Sequence, residues 1–132
     1  MIVKATREGL CGELTASGWR IDAERMFVAL PSHRALFRWV IIANPLNKRV
    51  VRAQVLDVGP WNIDDDDYVF GTARPLSESG IKTDGKKRIS GETNGAGIDL
   101  GEAVWAALGM TDNGEVSWSM EMLPGEVREL AA

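Results

Sequence analysis

The chain is short of the residues that most often announce a chemistry. It has one cysteine, Cys11, so no intrachain disulfide and no Cys-x-x-Cys site can form. Its one histidine, His33, excludes a two-histidine zinc motif, and neither a metal site nor a cofactor is expected. A Cys11–His33 nucleophile pair is formally available, but nothing in their flanks supports it; Cys11 reads as a buried inert thiol and His33 as a surface or turn residue. No apolar run approaches the ~20 residues of a membrane span. No basic stretch followed by an apolar segment and a cleavage site is visible at the N-terminus, so synthesis in the cytoplasm is expected, with any work outside the cell needing another route. Positive charge is also lacking: the net charge is −4 and the isoelectric point about 5.0, which argues against a phosphate-binding face and so against nucleic acid as a partner.

What remains is an ordinary soluble composition at 132 residues, enough for one domain over 1–132 with a core that needs no staple. Ile2 to Thr6 reads as a short outer strand, and 9–18 as a loop. Met26 to Leu30, closed by Pro31, reads as a buried strand or turn, and Leu36 to Ala43 as a strand. Asn44 to Lys48 makes a turn into Arg49–Leu56, where Val51, Ala53 and Val55 alternate with Arg52 and Gln54. These last two segments predict a hairpin. From Ile98 the pattern turns helical: Asp99 with Glu102 has capping-box spacing, and Leu100, Val104, Ala107 and Leu108 form one stripe. Glu115 to Met120 alternates as a final strand, and Pro124 onward reads as a tail. Trp39, Trp105 and Trp118 fall on strand or helix patterns and are expected in the core.

Segment 62–96 differs in kind. It carries an acidic run, Asp64 to Asp67, and a basic cluster, Lys82, Lys86, Lys87 and Arg88, without apolar periodicity. It reads as a long inserted loop in which the two charge blocks could pair. Many turns, short strands and one late helix predict a mainly β fold, a small barrel with this loop inserted.

Two aspartates hold the chemistry. Asp57 follows an apolar strand in Leu56-Asp57-Val58-Gly59-Pro60-Trp61. Asp99 lies in Gly95-Ala96-Gly97-Ile98-Asp99-Leu100. Asp57 is either a turn residue accepting backbone N–H bonds or a carboxyl poised at a groove. For Asp99, helix capping alone is a sufficient explanation.

Together with Thr15-Ala16-Ser17-Gly18 and Met26-Phe27-Val28-Ala29-Leu30-Pro31, these motifs occur in an order that resembles the double-psi β-barrel of the rare lipoprotein A type, related to expansins and some lytic transglycosylases. The resemblance spans about 9–120. It implies a six-stranded double-psi barrel with one short helix near the C-terminus and a groove for peptidoglycan or another polysaccharide. It further implies Asp57 as catalytic acid and Asp99 beside it as helper. A lytic transglycosylase needs one carboxyl that first gives and then takes a proton, with its pKa near working pH; burial against Trp61 and the Asp99 charge are expected to raise that of Asp57. Trp19, Trp61 and Tyr68 are candidate sugar-stacking residues, and Thr15, Asn62 and Asn94 candidate hydrogen-bonding ones. Arg74 either meets a peptide-stem carboxylate or pairs with the acidic run. Trp19 stands where enzymatic members carry an acid. The Asp57–Asp99 connection, with Ala73-Arg74-Pro75 and Ser77-Glu78-Ser79-Gly80, resembles a phage or prophage variant. The implied partners are glycan strands and other phage tail proteins, with action in the cell wall from a virion. The alternative is a tail or baseplate module that binds without turnover; an expansin-like loosening domain is a third, weaker reading.

Overall fold

A computed structural model describes residues 1–9 and 12–126; Cys11 and the end of the expected tail lie outside the described residues. The chain forms β1 (Ile2–Glu8), β2 (Phe27–Leu30), β3 (Trp39–Ala43), β4 (Val50–Val58), α1 (Asp66–Val69), β5 (Ile81–Asp84), β6 (Lys87–Glu92), β7 (Ile98–Gly101), α2 (Glu102–Ala107) and β8 (Gly114–Met120). Six strands close a barrel in the order β1-β7-β2-β4-β3-β8, while β5 and β6 form a separate hairpin. The fold is mainly β, a closed six-stranded barrel, as expected.

Two pairs in the barrel are parallel, β1 with β7 and β2 with β4; the other four are antiparallel. Exchanging β1 with β4, β2 with β7 and β3 with β8 maps this ladder onto itself, so the barrel has an internal twofold that no sequence repeat announces. Its interior is filled by alternate residues: Val3 and Ala5, Val28 and Leu30, Val40 and Ile42, Ala53 and Val55, Ile98 and Leu100, and Val116. Period-2 patterning thus places one face of every strand inside. Helix α2 adds Val104, Trp105 and, just beyond its end, Leu108 to the same core.

The structure corrects several expectations. β1 is paired on both sides rather than being an outer strand, and runs on to Glu8. Residues 98–101 are barrel strand, not helix. Gly101, not Asp99, is the N-cap of α2, and it makes no side-chain cap bond. The apolar stripe at Ile98 and Leu100 is therefore the period of a buried strand that runs straight into a helix. Trp39 is 37% exposed under the Arg52 guanidinium rather than in the core. Trp118 is only partly buried, and Trp105 is buried as expected.

Segment 62–96 is not structureless. It contains α1, a 3-10 turn at Leu76–Ser79 and the β5–β6 hairpin. Tyr68 anchors it: the hydroxyl donates to the Gly97 carbonyl (3.0 Å) and accepts from Trp118 Nε1 (2.8 Å). The two charge blocks do not pair. Asp66 meets Arg34 and Ser32, Asp65 accepts from the Leu76 amide, and Arg74 pairs with Glu78 instead of the acidic run.

Gly101 is a steric requirement of the barrel. A Cβ there would lie 2.5 Å from the Phe27 ring and 3.0 Å from the Phe27 carbonyl oxygen. Gly101→Ala should lower stability by about 1–3 kcal/mol, the cost of overpacking a close contact. Urea unfolding checks this; a midpoint equal to wild type would show that β2 and β7 can part without cost.

Candidate functional site

Register places the aspartates. Asp57 pairs with Ala29, Ala29 pairs with Asp99, and Asp99 pairs with Thr6. One row therefore crosses β4, β2, β7 and β1. Since Val28, Leu30, Ile98 and Leu100 point inward, the Ala29 and Asp99 side chains point out. Strict alternation from Val51, Ala53 and Val55 would carry Asp57 inward. A register shift between Val28 and Ala29 prevents it: Val28 faces Val55, Ala29 faces Asp57, and Leu56 is the extra residue. Leu56 packs in a small outer cluster with Ile21 and Phe27. The bulge thus turns Asp57 onto the outer face.

A third carboxyl joins them. Glu8 is two residues beyond Thr6 on β1, hence on the same face, and its neighbour across the ladder is the side-chain-free Gly101. Its carboxyl comes within hydrogen-bonding reach of the Asp57 carboxyl and feels the charges of Asp57 and Asp99. A hydrogen bond between two carboxyls requires one of them to hold a proton. Glu8 Oε2 is also buried where no N–H or hydroxyl donor reaches it, so an anion there would be unsolvated. Burial, then the bond to Asp57, then the two neighbouring charges push the Glu8 carboxyl up to about 9.

The other two are differently served. Asp57 Oδ1 accepts from the backbone amides of Ala16 (2.8 Å) and Val58 (2.9 Å). Asp99 accepts from the Thr6 hydroxyl; burial, with the Asp57 charge adding to it, pushes its carboxyl up to about 6 against the pull of that bond. Asp57 and Asp99 do meet on one face. Among the described residues no His, Cys, Asp and Glu group is disposed to hold a metal ion.

The expected sugar contacts are mostly occupied. Thr15 is buried and donates to the Trp19 carbonyl (2.8 Å). Trp19 is 46% exposed with the Arg25 guanidinium 4.0 Å above its ring. Asn62, buried and at a φ of 52°, holds the hairpin through the Ile81 carbonyl (2.9 Å) and the Thr83 amide (2.8 Å). Asn94 Oδ1 accepts from Trp61 Nε1 (2.7 Å) and the Ala96 amide (3.0 Å). Tyr68 is 2% exposed and, with its phenol pushed up by burial, is a neutral structural post. It lines a separate hollow of about 490 Å³ with Arg34, Arg38, Phe70 and Trp118, away from all three carboxyls. The arginines of that hollow are already paired with Asp66 and Glu126, so the chemistry lies with the carboxyls.

Glu8 escapes a reading of the sequence because parallel pairing with β7, more than ninety residues on, brings it in. The only local signal is the alternation Lys4, Thr6, Glu8 against Val3 and Ala5.

Fold and site define a closed β-barrel that carries three carboxyls on its outer face. Residues 1–119 match the family described as a domain of unknown function, DUF8814, and the chain belongs to that family. No curated protein matches it. Among solved structures it is similar to the Streptomyces papain inhibitor (SPI), with 18% identity over 89% of this chain and 92% of that one, at a TM-score of 0.48.

The Glu8 shift has a consequence for stability. With the folded value raised above the ordinary 4.5, the folded protein keeps a proton that the unfolded chain loses, so stability falls as pH rises from about 4.5 to about 9 and levels off beyond. Asp99 adds a decline between 3.8 and about 6. Glu8→Gln, a neutral amide able to donate to Asp57, should flatten the fall between pH 6 and 9. Thermal melting across that range checks this, and parallel wild-type and variant curves would contradict a proton held at Glu8.

Proposed function

We propose that the protein acts on peptidoglycan as a lytic transglycosylase-like enzyme of the kind carried by phages. The observation that carries this reading is geometric: strand register brings Glu8, Asp57 and Asp99 together on one outer barrel face, where burial and the two like charges push the Glu8 carboxyl up. The order of motifs around Asp57 and Asp99, which resembles the rare lipoprotein A barrels, supplies the substrate class.

The roles differ from those expected of the sequence. Asp57 was to be the donor, but its Oδ1 already accepts from two backbone amides, and burial favours Glu8 as the acid. In the proposed reaction Glu8 O–H protonates the glycosidic oxygen, and the C1–O bond breaks. Positive charge develops at the sugar C1, and the Asp57 carboxylate stabilises it. The sugar C6 hydroxyl then bonds to C1, giving its proton back to Glu8. No water is consumed, and a 1,6-anhydro end results. Asp99, fixed by Thr6, holds negative charge near both groups and helps keep the proton on Glu8.

A second reading is a non-catalytic glycan-binding module of a phage tail or baseplate. Trp19, an exposed aromatic held under Arg25, favours it, since such a face suits stacking on a sugar ring.

Incubating the protein with bacterial sacculi should release 1,6-anhydro muropeptides, detected by mass spectrometry. Glu8→Gln should reduce release at least ~100-fold, the usual weight of a proton-transfer group, and Asp57→Asn should reduce it by about 100-fold through lost charge stabilisation. Wild-type release should decline above pH 9 as Glu8 ionises. Undiminished release by Glu8→Gln would refute the donor assignment. Binding of sacculi by wild type without release at any pH from 4 to 9 would leave the binding module as the function.

A further inference from the structure

The β5–β6 hairpin carries a charge distribution that the proposed reaction does not use. Within Ile81–Glu92 stand the cations Lys82, Lys86, Lys87 and Arg88 against the anions Asp84 and Glu92, a net +2 in a chain of net −4. Asp84 pairs with Lys87 across a two-residue turn whose first position, Gly85, sits at a φ of 61°, so Lys86, Lys87 and Arg88 cluster at the tip. Every residue of β6 is exposed. Among the described residues none of the four cations forms an ion pair, although the acidic run at Asp64–Asp67 belongs to the same insertion.

The hairpin is also held in place. Asn62 grips β5 at both Ile81 and Thr83, and the Thr93 amide donates to the Gly80 carbonyl (3.1 Å) to close its base. Lys82 Nζ lies 5.5 Å from the centre of the Trp61 ring, and Trp61 is bonded to Asn94. Trp61 and Asn62 follow Asp57 by four and five residues, through Gly59-Pro60. A basic finger is therefore fixed to the segment that leaves the carboxyl row, with an aromatic ring between the two.

We propose that this hairpin binds the free carboxylates of the peptide stems that hang from peptidoglycan strands, while the sugar chain lies along the Glu8–Asp57–Asp99 face. This rests on the glycan reading above and adds to it a preference for peptide-bearing over bare glycan. The charges divide to match: a sugar chain whose lactyl carboxyls are held as amides by the stems is neutral and meets the carboxyl face without repulsion, and the anionic stem meets the exposed cations. A polyphosphate is a poorer fit, because the carboxyl row, Asp64 to Asp67 and the net negative charge would all repel a long anionic strand.

The test is co-sedimentation with intact sacculi and with sacculi stripped of stem peptides by an amidase, at low and high salt. The variant combines Lys86→Ala, Lys87→Ala and Arg88→Ala; it leaves Lys82, Trp61 and the carboxyls untouched, and circular dichroism confirms its fold. Wild type should bind intact sacculi more tightly than stripped ones and lose the difference at 1 M salt, where the Debye length falls to about 3 Å. The variant should bind intact sacculi about tenfold more weakly than wild type, as expected for three exposed charge contacts, and stripped sacculi equally well. Equal binding of intact sacculi by variant and wild type would overturn the hairpin assignment while leaving the glycan reading standing. Absence of wild-type binding to both intact and stripped sacculi would instead strike the glycan reading. Tighter binding to double-stranded DNA than to intact sacculi would assign the hairpin to polyphosphate and also overturn the proposal.

Discussion

One extra residue in β4 decides what the site can be. Without the bulge at Leu56, the alternation that buries Ala53 and Val55 would drive Asp57 into the barrel core. A carboxylate there would meet Val28, Leu30 and Leu100 and would either unfold the barrel or hold a proton permanently. The bulge spends its extra residue on Leu56, which the outer cluster with Ile21 and Phe27 absorbs. The chain then continues on the opposite face, and Asp57 reaches the Ala16 amide, Glu8 and Asp99. Because the barrel is closed, this local change cannot be relieved by fraying of an edge.

The closed ladder explains why part of this was legible and part was not. The alternation of β4, its hairpin with β3 and the final strand β8 are local patterns, and they appear where the residues put them. The barrel class followed from such patterns and from the order of motifs. Residues 98–101 failed because a short buried strand abutting a helix offers a continuous apolar stripe, and Asp99 with Glu102 imitates a capping box. The side chain that caps nothing instead accepts from Thr6 across a parallel ladder. Segment 62–96 failed for another reason. Its order comes from Tyr68 and Asn62, polar side chains satisfied by backbone groups twenty to thirty residues away, which leave no periodicity to read.

Asn62 and Tyr68 also show why candidate sugar ligands are hard to tell from scaffold. Both carry hydroxyl or amide groups suited to a glycan, and both spend them inside the protein. Asn62 accepts a left-handed backbone in exchange, a conformation asparagine tolerates better than most residues. What remains at least partly exposed to meet a ligand is aromatic and cationic surface: Trp19 with Arg25 and, next to Asn62 in the chain, Trp61 with Lys82.

The carboxyl cluster itself works against the fold. Glu8 is brought beside two other acids with one carboxyl oxygen, Oε2, buried and without a donor, so above its unfolded pKa it lowers stability. A scaffold has simple escapes from this cost, since an amide at position 8 could donate to Asp57 and carry no charge. A cluster that costs the fold stability is the kind of arrangement on which the proposed chemistry rests. Three acids of one sign sort themselves by surroundings: Asp57 takes the backbone amides, Asp99 takes the Thr6 hydroxyl, and Glu8 is left to take the proton. Three like side chains on one face thus sit in three unlike surroundings, and burial beside two like charges raises Glu8 the furthest.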